Sequence, residues 1–213
     1  MNKRFVLHLL VAAMLWAGTA TAGTIVYEQL PGVGSNRASS TRDYLGGPDG
    51  YQTADNFVLT ADTVVTDLYW WGELVSGGND FVFTFYADAA GSPGAALQTT
   101  TGSVSITPLG APAAEFFYAA PLAVPFSATA GTTYWLSIFN QAPDASWAWQ
   151  VGDPFVAAGS RIRQLSSPTW QPTFDVAFQL EGDVAGSSAV PEPATLSLLG
   201  LGVAGMVARR RKR

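Results

Sequence analysis

Strict two-residue alternation is the feature that most restricts this chain. In FVFTFYAD, Phe81, Phe83 and Phe85 fall on one side of an extended backbone and Val82, Thr84 and Tyr86 on the other. TYWLSIFN (Thr133–Asn140) sets Tyr134, Leu136 and Ile138 against Trp135, Ser137 and Phe139. FDVAFQLEG (Phe174–Gly182) groups Phe174, Val176, Phe178 and Leu180 on a single face. Such patterns, rich in aromatic and β-branched residues, describe half-buried strands. Weaker strand signals lie at 24–30, 56–60, 64–71, 103–107, 115–118, 146–151 and 161–165. Turn clusters separate them, including GGPDG (Gly46–Gly50), SGGND (Ser76–Asp80) and AAGSPG (Ala89–Gly94). No stretch of the domain has a convincing helical period. About ten short strands with Gly/Pro punctuation predict an all-β fold, an antiparallel β-sandwich wound as a jelly roll.

The two ends of the chain follow different rules. Met1-Asn2-Lys3-Arg4 is a basic start, Phe5–Ala17 is apolar except for His8, and Ala20 and Ala22 are the small residues a signal peptidase reads. A signal peptide over 1–22 with Gly23 as the first mature residue is expected, so the chain is read as exported. The domain then spans 23–183. EGDVAGSSAVPEP (Glu181–Pro193) is small and polar before two prolines stiffen it, which makes 184–193 a linker. Ala194–Ala208 is apolar, and Arg209, Arg210, Arg211, Lys212 and Arg213 close the sequence. As a helix those apolar residues span about 22 Å against a hydrocarbon core of about 30 Å. That predicts a short membrane helix whose basic end stays in the cytoplasm.

This three-part tail, led by Val190, Pro191, Glu192 and Pro193, resembles the PEP-CTERM sorting signal of Gram-negative bacteria. The resemblance implies recognition by an exosortase, a membrane enzyme of transpeptidase type. It also implies a habitat in bacteria that make exopolysaccharide and biofilm matrix. On that reading the protein passes through the inner membrane transiently and ends at the cell surface or in the extracellular matrix. The succession ADNFVLT, LYWWG, FVFTFYADAAGSPG, TYWLSI, WAWQVG and DVAFQLEG is similar to secreted bacterial β-sandwich ectodomains that carry such a tail. It brings no catalytic residues with it.

Charge and residue inventory narrow what the domain can do. Residues 23–189 hold four basic residues (Arg37, Arg42, Arg161 and Arg163) against fifteen acidic ones, a formal charge of −11. Such a surface repels nucleic acid. His, Cys and Lys are absent from these residues, so Ser-His-Asp and Cys-His arrangements, Schiff bases and imidazole-held metals cannot be built from them. The chain is therefore expected not to be an enzyme, and no cofactor is implied. A two-carboxylate glycosidase is the remaining catalytic option, with Glu28, Glu73 and Glu115 available but no spacing that selects a pair. Asp43, Asp49, Asp55 and Asn56 crowd a glycine-rich stretch without calcium-loop spacing, so no metal is assigned. A structural role at the surface or in the matrix is the first expectation. A carbohydrate-binding sandwich is the alternative, with Trp147 and Trp149 two residues apart as an aromatic platform and exopolysaccharide as the partner.

Overall fold

The computed structural model describes residues 23–32, 37–42, 49–110, 115–143, 145–153 and 157–186. In the unit from Gly23 to Gly186 these residues form thirteen strands and no helix. The first six are β1 (Thr24–Gln29), β2 (Arg37–Ser39), β3 (Tyr51–Val58), β4 (Thr63–Glu73), β5 (Phe81–Asp88) and β6 (Pro93–Thr101). There follow β7 (Ser105–Pro108), β8 (Glu115–Ala128), β9 (Thr133–Asn140) and β10 (Ala148–Gln150). Three more complete the set: β11 (Ala157–Gln164), β12 (Gln171–Phe174) and β13 (Phe178–Val184).

They make two antiparallel sheets. One runs β12-β11-β3-β9-β5-β6. In the other, β4 pairs along its whole length with β8, and β8 pairs with β7. The opposite edge of β4 takes β13 as far as Trp70 and then β10 at Gly72; β1 flanks β13 and β2 flanks β10. The pairs β3·β9, β4·β8 and β5·β6 alternate between the sheets, so a folded ribbon of strand pairs wraps the core. That is jelly-roll winding. The core fills the space between the sheets. Phe57, Phe83, Phe85, Leu136 and Ile138 come from the six-stranded sheet, and Leu68, Trp70, Tyr118, Phe126, Phe178 and Leu180 from the seven-stranded one. Contact across the gap is direct: Phe85 stacks on Phe126 with centroids 4.1 Å apart, and Trp70 meets Phe83 edge-on at 5.5 Å.

The alternating runs at Phe81–Asp88 and Thr133–Asn140 fold as β5 and β9 with the predicted bounds. The third run does not form one strand. β12 ends at Phe174 in the six-stranded sheet, and β13 begins at Phe178 in the seven-stranded sheet. Phe174 is 37% exposed, so it does not share the face of Val176, Phe178 and Leu180. Asp55 on β3 holds the crossover. Its carboxylate accepts the Asn56 N–H at 2.7 Å and the Val176 N–H at 2.8 Å. β8 also exceeds its sequence signal. Between its pairings Phe126↔Val65 and Pro121↔Asp67, residues 122–125 stand opposite Thr66 alone, and Pro121 and Pro125 sit at this break in the ladder. The excursion reaches β6 of the other sheet: the Val124 N–H donates to Thr100 Oγ1 at 3.1 Å, and Gln98 Nε2 donates to the Val124 carbonyl at 2.7 Å.

Candidate functional site

Of the residues singled out by sequence, Ala20, Ala22, Asp43, Val190–Pro193 and Arg209–Arg213 lie outside the described residues, as does the expected membrane segment 194–208. Gly23 opens the described chain, one residue before β1.

Trp147 and Trp149 form no surface platform. Trp147 and Trp149 do lie together, with centroids 6.2 Å apart, but both are fully buried in the core. Trp147 meets Phe81 edge-on at 5.1 Å, and Trp149 Nε1 donates to the Ala177 carbonyl at 2.8 Å. Two-residue spacing put them on one side, and that side is the inner one. Trp70, Trp71 and Trp135 are buried as well, which leaves Trp170 half-buried.

Trp135 belongs to the outer face of the six-stranded sheet, where side chains satisfy one another. Its Nε1 donates to Asp88 Oδ1 at 2.8 Å, and the Arg161 guanidinium lies 5.5 Å from its ring centroid. Arg163 donates to Gln52 Oε1 from Nε at 3.1 Å and Nη2 at 2.7 Å, and packs 4.6 Å from the Trp170 centroid. Gln52 Nε2 in turn donates to Tyr86 Oη and Ser137 Oγ, each at 3.1 Å. This interlocked layer of arginine and aromatic side chains covers the centre of the sheet.

A second group surrounds the crossover. An open cavity of ≈ 400 Å³ is lined by Glu28, Gln29, Leu30, Asp153 and Asp175. Asp55 lies buried nearby, and burial pushes its carboxyl up to about 8, assisted by the charge of Asp175 and opposed by the two N–H bonds and by Arg161. Burial also raises Asp175. Its carboxylate packs onto Gly159, where any Cβ would collide with it. Among the described residues no three His, Cys, Asp or Glu side chains are grouped to hold a metal ion.

The outer face of the seven-stranded sheet has a different character. Along β4, Leu68 and Trp70 point to the core, so Asp67, Tyr69, Trp71 and Glu73 share the other side. Register brings Glu181 opposite Asp67, Gln179 opposite Tyr69, Phe117 opposite Trp71 and Glu115 opposite Glu73. Tyr69 and Phe117 lie parallel within 9°, centroids 5.8 Å apart, and Trp71 meets Phe117 at 5.4 Å. The Tyr69 hydroxyl donates to Glu181 Oε2 at 2.6 Å, and Gln179 Nε2 donates to Glu28 Oε2 at 3.1 Å. The three glutamates that spacing could not relate, Glu28, Glu73 and Glu115, therefore lie on one face. Burial raises the Glu73 carboxyl above its ordinary range, while Arg37 opposes the shift.

Comparison with known proteins bears on the C-terminal segment. Residues 189–212 are a PEP-CTERM protein-sorting motif. PEP-CTERM segments are recognised by exosortase, a membrane enzyme, and they route an exported protein through the membrane to the cell surface. Val190, Pro191, Glu192 and Pro193 fall inside the matched segment, as do Arg209 to Lys212. No curated protein matches the chain, and no solved structure does. The PEP-CTERM segment begins three residues after the sandwich unit ends at Gly186.

Proposed function

We propose that this protein is a non-catalytic component of the cell surface or extracellular matrix, associated there with exopolysaccharide. Signal peptidase cuts after Ala22, the chain is exported, and an exosortase-type enzyme acts near Pro191-Glu192-Pro193 while the short apolar segment holds the chain in the inner membrane. The PEP-CTERM motif at residues 189–212 carries this reading. Two facts support the absence of catalysis: no His, Cys or Lys exists between residues 23 and 189, and the polar groups over the six-stranded sheet are engaged with one another. The facing pair Glu73 and Glu115 beside Trp71 and Phe117 favours sugar recognition as the second reading. The same pair is what a carboxylate glycosidase would use.

Cell fractionation tests the proposal. The wild-type protein should appear in the matrix fraction and be released when polysaccharide is digested. Glu192→Ala, or deletion of Arg209–Arg213, should hold the precursor in the inner membrane. Wild-type protein found entirely in the periplasm or inner membrane would contradict it.

A further inference from the structure

The outward aromatic row is unusual for its position. The solvent side of an antiparallel sheet ordinarily carries polar residues, because aromatic area left facing water gains nothing from folding. Here the centre of the outer face is Tyr69, Phe117 and Trp71, with Tyr69 and Phe117 half-buried and Trp71 deeper. Carboxylates flank the row at both ends, Asp67 and Glu181 at one and Glu73 and Glu115 at the other. Ionised carboxylates only accept hydrogen bonds, so the partner of this face must bring donors. Their charge, within a domain of formal charge −11, turns away uronate- or sulfate-bearing chains. Apolar ring area with acceptors at its margins matches a pyranose, which has C–H faces and peripheral hydroxyls.

We propose that this face binds an uncharged polysaccharide, whose pyranose rings rest on Tyr69 and Phe117 above Trp71 and whose hydroxyls donate to Glu181 and Glu73. The site deepens the matrix reading and rests on it for its biological setting. It differs from the Trp147–Trp149 pair, which is sealed in the core. Tyr69 keeps its hydroxyl bonded to Glu181, so ring and acceptor are held in place before any ligand arrives.

Mature protein released from the cell surface is run in native gels containing mixed-linkage β-glucan, dextran, galactomannan or alginate. At least one neutral polymer should retard it, alginate should not, and retardation should persist at high salt because the ligand is uncharged. Tyr69→Ala and Phe117→Ala should each weaken binding at least about tenfold, Tyr69→Phe should weaken it less because the ring stays while its tie to Glu181 is lost, and Trp170→Ala should leave it intact. In a Trp170→Phe background, whichever neutral polymer retards the protein should still shift tryptophan emission, reporting Trp71. Should Phe117→Ala not fold, Tyr69→Ala suffices, since that ring packs on the outside of the sheet. No retardation by any neutral polymer, retardation by alginate, or an unchanged Tyr69→Ala overturns the proposal. Matrix-located protein that binds none of the polymers overturns this site alone. Binding protein confined to the inner membrane supports the site while removing the matrix reading. Release of reducing ends that stops with Glu73→Gln makes the face catalytic, and overturns it as a binding surface.

Discussion

Asp55 is a residue whose burial and bonding pull in opposite directions. Two backbone N–H groups favour its ionised form, and burial beside Asp175 disfavours it more, leaving its carboxyl at about 8 instead of the ordinary 3.8. In the native state the proton is therefore held across a range where the unfolded chain has already released it. The associated stability is complete below the ordinary value and is lost as pH rises through about 8. Asp175 and Glu73 are raised too, so they add to the same trend. The urea midpoint of the wild type should thus be lower at about pH 8 than at about pH 5, and Asp55→Asn should reduce that difference. Asp55→Asn should also lower the midpoint at the acidic end, because its amide nitrogen cannot accept one of the two N–H bonds. A wild type equally stable at both pH values would contradict the buried proton.

Elements show what periodicity can and cannot reveal. Phe81–Asp88 and Thr133–Asn140 were legible because each is a central strand with one face wholly in the core. Phe174–Gly182 misleads because its apolar alternation continues through the crossover, and only the pairing of each part tells the sheets apart. β6 gave little signal because, as an edge strand, it buries few side chains. β8 runs well past its signal at 115–118 because Pro121 and Pro125 do not end the strand but occupy the break that carries the chain across to β6. The outer face could not be found from spacing, since Tyr69, Phe117 and Glu181 meet only through strand register. Gly72, where β4 meets β10, shows how tightly that register is packed. A Cβ there would lie 2.7 Å from Trp147 Nε1 and 2.8 Å from the Ala148 carbonyl oxygen. Gly72→Ala should destabilise the fold by about 1–3 kcal/mol through displacement of the Trp147 ring. Thermal melts with near-ultraviolet circular dichroism would show a lower midpoint and a changed tryptophan signal, and unaltered melting would mean the contact is soft.

At the scale of the molecule, strand order leaves the closing pairings of the seven-stranded sheet to the C-terminal end of the sandwich unit. Among the described residues β13 is the last strand in sequence, but it lies between β1 and β4, so the seven-stranded sheet is complete only when the chain through Val184 is available. The PEP-CTERM motif starts at residue 189, just past that point, and was legible because its determinants are contiguous in sequence. The proposed exosortase cut near Val190–Pro193 therefore falls just beyond a finished sandwich. Trypsin tests it directly, because no Lys or Arg occurs between Arg163 and Arg209. Unprocessed protein must yield a peptide running from Gln164 to Arg209. Mass spectrometry of surface-released protein should instead give a peptide that begins at Gln164 and ends within or close to Val190–Pro193, whether or not a group is attached there. Surface protein whose peptide still contains Ala194–Ala208 would show an uncut anchor and contradict the account.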